Sequence, residues 1–242
     1  MALPDRIIKA TQQEVMVILG ARALTGRRTV LVGIGQPNLA AAVAKRLYTP
    51  DLLLIYESGV IDGGSARLPL SIGDTSLVKD AIGICSMFEL FAYYLCGHRI
   101  EVGFVGAAQV GRHGELNATV IGDYTHPDVR LPGSGGASDM ALAVAELIVM
   151  SPHELRRFPE KVDFVTSIQA KALTVITDLA VMKLDQGELV VQALLEGVSR
   201  EQVREATGWP LRFKKTLGSV PSVSDAELAA VRDLDALGFY RN

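Results

Sequence analysis

"TVLVGIGQPNLAAAVAKRLYTPDLLLIYESG", residues 29–59, carries the reading of the fold. Its opening "TVLVGIG" is a short β-branched and apolar run closed by glycines, which predicts a buried strand. Pro37 suits the first turn of a helix, where a missing N–H costs nothing. Leu39, Val43 and Leu47 then supply an apolar face at helical spacing. Asp51 opens a second apolar run, "LLLIY". Strand, helix and strand within about 30 residues is the pattern of a parallel βαβ unit with a right-handed crossover.

The second strand runs directly into an acid, Glu57, followed by Ser58 and Gly59. Burying a carboxylate costs several kcal/mol unless it is paired or hydrogen-bonded, so the residue needs an explanation. The plainest is a strand end emerging into water. A second is dinucleotide binding, since "VGIGQPN" places a glycine pair between strand and helix; Asn38 stands where the third glycine belongs, however, and Pro37 intervenes. A third joins Glu57 to "LPGSGGAS", Leu131 to Ser138, with three glycines in four residues. Such a loop lets backbone N–H groups converge without Cβ obstruction, and a helix starting just after it adds its positive end. A carboxylate at a strand's carboxyl end and preorganised donors for a negative oxygen are together what acyl transfer needs.

The 242 residues are 49% hydrophobic, 21% charged and 6% aromatic, as expected of one packed α/β domain over residues 1–242. A net charge of −3 gives no electrostatic footprint for nucleic acid. Cys85 and Cys96 lie in an apolar stretch without metal-ligand spacing and read as buried core thiols. Asp5 interrupts what would be the apolar core of an export signal. The longest apolar run, "MALAVAELIVM" from Met140, contains Glu146 and falls short of the roughly 18 residues that span a membrane. A cytoplasmic location without membrane contact is expected.

Along the chain, "TQQEVMVILGARAL" reads as a helix with a capping box from Thr11 and Glu14. "SLVKDAIGICSMFELFAYYLCG" reads as one or two helices broken near Gly83, "IEVGFVGAAQV" as a strand, and "GGASDMALAVAELIVM" as a glycine loop with a buried helix. "VDFVTS", "ALTVITD", "AVMKLD" and "ELVVQALL" read as strands; "SREQVREATG", capped by Ser199, and "SDAELAAVRDLDAL" read as helices. His98, His113, His126 and His153 have no ligand spacing and read as surface or loop residues, with no metal site. Asp123 and Asp139 read as turn or cap residues, and Lys45 and Arg46 as a solvated helix face.

Three segments, "GIGQPNLAAAVAKRLYTPDLLLIYESGVID", "GAAQVGRHGELNATVIGDYTHPDVRLPGSGGAS" and "ITDLAVMKLDQGELVVQALLEGVSREQVREATGW", resemble the β subunit of family I CoA-transferases, and most of all that of glutaconate CoA-transferase. The resemblance runs in order from about Thr11 to Trp209, and "ESG" together with "GSGGA" is its most specific part. It implies an open, mostly parallel α/β sheet flanked by helices, of the ribose-5-phosphate isomerase and CoA-transferase type, paired with an α subunit. It places the family's nucleophilic glutamate on Glu57, and its oxyanion and CoA-binding glycine element on Gly133, Ser134, Gly135 and Gly136. Ser58, Gly59, Gln109 and Asn117 fall where the family shapes its substrate pocket. The implied substrates are an acyl-CoA and a short dicarboxylic or 3-oxo acid, with coenzyme A as substrate and no other cofactor. Relatives that have lost the glutamate hydrolyse or decarboxylate CoA thioesters, and the chain could also be a non-catalytic subunit; the presence of Glu57 favours transfer. Only "IQAK" stands where the glutaconate enzyme carries a longer glycine-rich insertion, which leaves the acyl substrate open.

Overall fold

The structure, a computed structural model, describes residues 10–63, 67–168 and 170–241; Asp5 and Gln169 lie outside them. The first elements are α1 (Gln12–Ala23), β1 (Thr29–Val32), α2 (Gln36–Leu47) and β2 (Leu53–Ile55). The capping box is present: Glu14 N donates to Thr11 Oγ1 and Thr11 N to the Glu14 carboxylate, at 3.1 and 2.9 Å. β1 and β2 pair in parallel with Thr29 opposite Leu53, as the βαβ pattern requires.

After β3 (Val60–Ile61) and β4 (Gly83–Ile84), helix α3 (Met87–Glu89) continues into a π-helical turn over Leu90–Leu95. Next come β5 (Val102–Gly106), a hairpin of β6 (Gln109–Val110) and β7 (Leu116–Asn117), and a hairpin of β8 (Val120–Gly122) and β9 (Pro127–Arg130). The chain continues through α4 (Ala137–Ala143), β10 (Glu146–Met150), β11 (Leu173–Ile176), β12 (Ala180–Asp185), β13 (Glu188–Leu194), α5 (Arg200–Glu205), β14 (Arg212–Ser219) and α6 (Asp225–Leu234). Ten strands form one sheet in the order β14-β13-β12-β11-β10-β5-β1-β2-β3-β4, and its centre, β11-β10-β5-β1-β2, is parallel throughout.

Alternation along these strands divides the core in two. Val30, Val32, Phe104, Ile148 and Met150 pack with α1, α2 and α6; Leu31, Val105, Leu147 and Val149 pack with α4 and the π-helical turn. Covering both faces is why the strands read as unbroken apolar runs. The Arg232 guanidinium holds the Glu14 carboxylate through two bonds of 2.7 and 2.9 Å, tying α6 to α1 over one half of the core.

Several expectations change. The run after Met140 is helical only to Ala143; Glu146–Met150 is a central strand, with Thr174 and Arg27 bonded to the Glu146 carboxylate. "VDFVTS" forms no regular strand, and only Ser167 bridges, to Leu116. "IEVGFVGAAQV" breaks into β5 and β6, and Gly83 belongs to a short edge strand. Cys85 is half-buried and Cys96 exposed, so the two are not core thiols. Lys45 turns back under the crossover to Leu52 O and Asp62, at 2.9 and 2.5 Å, instead of lying in water.

His153 is also a core residue and not a surface one. It is 4% exposed, stacked 4.2 Å from Phe158, with its ring nitrogens 3.1 and 3.0 Å from the Thr177 and Thr207 hydroxyls. Burial pushes its pKa down to about 4, against an ordinary 6.5. The fold therefore holds the neutral ring. Its contribution is complete above pH 6.5 and is lost as the pH falls from 6.5 to about 4, reaching about 3 kcal/mol. Urea unfolding at a series of pH values checks this: His153→Gln should flatten the loss of stability between pH 6.5 and 5.

Candidate active site

Glu57 sits on the tip of a hairpin. Ile55 of β2 pairs with Ile61 of β3, Tyr56 N donates to Val60 O at 3.0 Å, and Gly59 N donates to Tyr56 O at 2.8 Å. Glu57 and Ser58 are thus the two central residues of a tight turn. Gly59 has φ +88°, and a Cβ there would stand 1.9 Å from the Cys85 carbonyl oxygen. Cys85 N donates to Gly59 O at 3.0 Å, so the turn is clamped onto the edge of the sheet. Tyr56, just before the acid, is buried and donates to Asn38 Oδ1 at 2.8 Å. The residue in the missing-glycine position of the dinucleotide pattern is therefore a strut beneath the hairpin.

The glycine loop reaches the same point from the other side. Gly136 N donates to Glu57 Oε1 at 3.3 Å, and Gly136 is the first-turn residue preceding α4, which has no side-chain cap of its own. A carboxylate from a distant hairpin occupies the place of a cap. A Cβ on Gly135, whose φ is +47°, would lie 3.5 Å from Glu57 Oε2. A Cβ on Gly136 would lie 2.6 Å from the Phe91 ring and 3.0 Å from Glu57 Oε1. Phe91, from the π-helical turn, is a site residue that the sequence reading missed; nothing local in "ELFAYY" marks one aromatic as facing the glycine loop. Gly136 is buried, while Ser134 and Gly135 are exposed and leave the site open on their side. Ser58 Oγ is buried without a hydrogen-bond partner among the described residues.

Gln109 and Asn117 lie beneath the glycine loop. Both are buried and bonded to each other, Asn117 Nδ2 donating to Gln109 Oε1 at 2.8 Å. Gln109 also donates to Asp163 Oδ2 at 2.9 Å, and Asn117 Oδ1 accepts from Thr119 N at 2.9 Å. Their polar atoms are bonded within the chain. They fix the strand that holds the glycine loop: Leu131 N donates to Thr119 O at 3.0 Å and Gly133 N to Ala118 O at 2.8 Å. Asp163, far away in sequence, completes this base by accepting from Gly122 N at 3.1 Å.

Burial pushes the Glu57 carboxyl above the usual carboxylate range; the Gly136 N–H opposes that, and the negative charge of Asp139 adds to it. Desolvation makes a carboxylate more basic and less screened, while the amide favours its ionised form. Activity that needs the anion should fall as pH drops through this raised value. Asp139→Asn removes the repulsion, so the acid limb of a kcat/KM profile should move to lower pH with the plateau unchanged. Among the described residues no group of three His, Cys, Asp or Glu is arranged to hold a metal ion.

A hairpin-borne glutamate on the amide of a glycine loop, in a sheet of this order, belongs to a known class: the chain is a member of the coenzyme A transferase family, whose model matches residues 18–206. It is 42% identical to the β subunit of 3-oxoadipate CoA-transferase from Pseudomonas knackmussii over 92% of each chain. Identity is 33% to the β subunit of glutaconate CoA-transferase from Acidaminococcus fermentans, over 86% of each. The crystal structure of the Acidaminococcus fermentans glutaconate enzyme superposes with a TM-score of 0.87 at 30% identity, covering 97% of this chain and 98% of that one. The decarboxylase AibA/AibB superposes equally, with a TM-score of 0.87 at 26% identity over 96% and 98% of the two chains. The mostly parallel sheet flanked by helices is thus the one the sequence predicts.

Proposed function

We propose that this chain is the nucleophile-bearing β subunit of a heteromeric CoA-transferase that moves CoA from an acyl-CoA to a short dicarboxylic or 3-oxo acid. The contact between Glu57 and the Gly136 amide carries the reading, because it joins two motifs whose combination matches acyl-transfer chemistry. The names of the relatives, each one subunit of a 3-oxoadipate or glutaconate CoA-transferase, support both the substrate class and an α subunit as partner.

In the cycle, a Glu57 oxygen attacks the thioester carbonyl, the carbon–sulfur bond breaks, and CoA thiolate leaves an acyl-glutamyl anhydride. The thiolate attacks Glu57 Cδ, expelling the donor acid as its carboxylate and forming a glutamyl-CoA thioester. The acceptor carboxylate attacks Cδ, releasing the thiolate again, and the thiolate then takes the acyl group from the new anhydride. Glu57 returns as a carboxylate. Coenzyme A is a substrate, and no metal, nucleotide or redox group enters.

Gly136 has a distinct part in this scheme. In both steps at Cδ the negative charge develops on a Glu57 oxygen, and the Gly136 N–H already points at Oε1. In this scheme Gly135 and Ser134, on the open side, serve the oxyanion of the substrate carbonyl. Water reaching either intermediate would turn transfer into hydrolysis, so the open side has to be closed. The test is to incubate the chain and its α subunit with acyl-CoA, trap with borohydride, and look by mass spectrometry for modification of the Glu57 peptide. An unmodified peptide during turnover would overturn the mechanism.

A further inference from the structure

From two adjoining cavities on the face of the sheet opposite Glu57 we infer a second ligand site, which takes a short aliphatic carboxylic acid with its carboxylate on Asn38 and its chain along the C-terminal segment. Alternation along β2 separates this site from the nucleophile. Leu54 and Tyr56 belong to the half of the core under α2 and α6, whereas Ile55 and the contact of Glu57 with Gly136 lie on the α4 side. The inner cavity, about 240 Å³, has Asn38, Tyr56 and Leu77 on its walls; the outer, about 310 Å³, has Leu70, Leu237 and Phe239. Arg67, Leu68, Asp233 and Leu234 line both, so the two form one cleft.

The inner end offers an unused donor. Asn38 is fully buried in the first turn of α2; its Oδ1 accepts from the Tyr56 hydroxyl at 2.8 Å, and its Nδ2 has no hydrogen-bond partner among the described residues. A buried amide donor left unmet costs stability, so it calls for an acceptor. The Arg67 guanidinium, bonded to Asp74 at 2.9 Å, places positive charge on the shared wall. The acids on that side are already engaged. Arg46 binds Asp233, and the Asp235 carboxylate accepts from Phe239 N, Tyr240 N and Arg241 N at 2.8, 2.8 and 3.0 Å. An anionic oxygen is the acceptor that suits such an end.

The outer end is apolar. Leu70, Leu237 and Phe239 are 58%, 78% and 61% exposed around one cavity, and clustered apolar surface of this kind marks a binding site. The Tyr240 hydroxyl donates to Pro69 O at 3.1 Å, which fixes the spacing between the C-terminal segment and the 67–70 loop. An aliphatic acid seated head-inward meets both needs at once: its carboxylate satisfies Asn38 Nδ2 and its chain covers the three exposed side chains. The occupied site would lie one hydrogen bond from Tyr56, the residue before Glu57. It does not depend on the transferase reading.

The test titrates sodium hexanoate calorimetrically into the full-length chain assembled with its α subunit. Saturable binding is expected, at least tenfold tighter than that of acetate, because each further buried methylene contributes about fourfold. Leu70→Glu with Phe239→Glu, both at exposed positions, should raise the hexanoate Kd at least tenfold, and Leu155→Asp, outside the cleft, should leave it unchanged. Asn38→Asp keeps an oxygen for the Tyr56 hydroxyl but turns the donor into an acceptor, and it should weaken hexanoate by a similar factor; if that variant fails to fold, the rim pair still decides. Hexanoate binding that the rim pair leaves intact places the acid elsewhere, at the Glu57 site included, and overturns the proposal. So do acetate binding as tightly as hexanoate, a folded Asn38→Asp with unchanged Kd, and no saturable binding at all, which would leave water as the partner of Asn38.

Discussion

Glu57→Gln is expected to abolish CoA exchange, lowering kcat by about 10⁴-fold or more, as loss of a covalent nucleophile does elsewhere. The substitution keeps the shape of the side chain and an oxygen for the Gly136 N–H, so the corner stays assembled. What disappears is the carboxylate nucleophile that the proposed anhydride requires. Exchange of a labelled carboxylic acid into acyl-CoA measures it, and turnover within tenfold of wild type would contradict transfer through this residue. Stability should move the other way. Burial raises the folded-state pKa of Glu57, so the folded chain disfavours its anion, and the cost appears as pH rises from the unfolded value of about 4.5 through the raised one. Above that raised value the cost is fully present. The neutral amide removes it, and the melting temperature of the variant should equal or exceed that of wild type, in keeping with a site that sacrifices stability for reactivity.

Much of this corner can be read from the chain because its parts are local. The βαβ crossover follows from apolar spacing over residues 29–56, and the caps of α1, α5 and α6 follow from Thr11, Ser199 and Ser224 with their partners three residues on. "ESG" and "GSGG" mark a turn and a loop whose glycines have reasons, a positive φ at Gly59 and a ring against Gly136. The misreadings share a cause, which is that tertiary contacts decide them. "ALAVAELIVM" is apolar in every register, and periodicity cannot separate a buried helix from a buried strand. It is settled by β5 and β11 on either side of β10. β14 was hidden because its Arg, Lys and Thr residues lie on an exposed sheet edge, where no apolar alternation is required. Phe91 and Asp163 meet the site only through folding, and the bond between Gln109 and Asn117 is equally invisible in the sequence.

Gly136→Ala should reduce kcat by about 10²–10³, the loss seen when one oxyanion donor is displaced, with a much smaller change in KM. Gly136 has φ −85°, a conformation alanine adopts freely, so backbone strain contributes nothing. The effect is steric and local: the new methyl would stand 2.6 Å from Phe91 Cζ and 3.0 Å from Glu57 Oε1. Something has to yield, either the ring or the carboxylate. If the carboxylate yields, the 3.3 Å contact from Gly136 N lengthens and charge on that oxygen loses its donor in both steps at Cδ. Phe91→Ala separates the possibilities in a double-mutant cycle, because it relieves the ring contact and leaves the oxygen contact in place. A double variant that regains stability but stays slow locates the damage at Glu57. Full recovery of rate would mean that Gly136 serves only to admit the Phe91 ring, and the oxyanion role assigned to its amide would then be wrong.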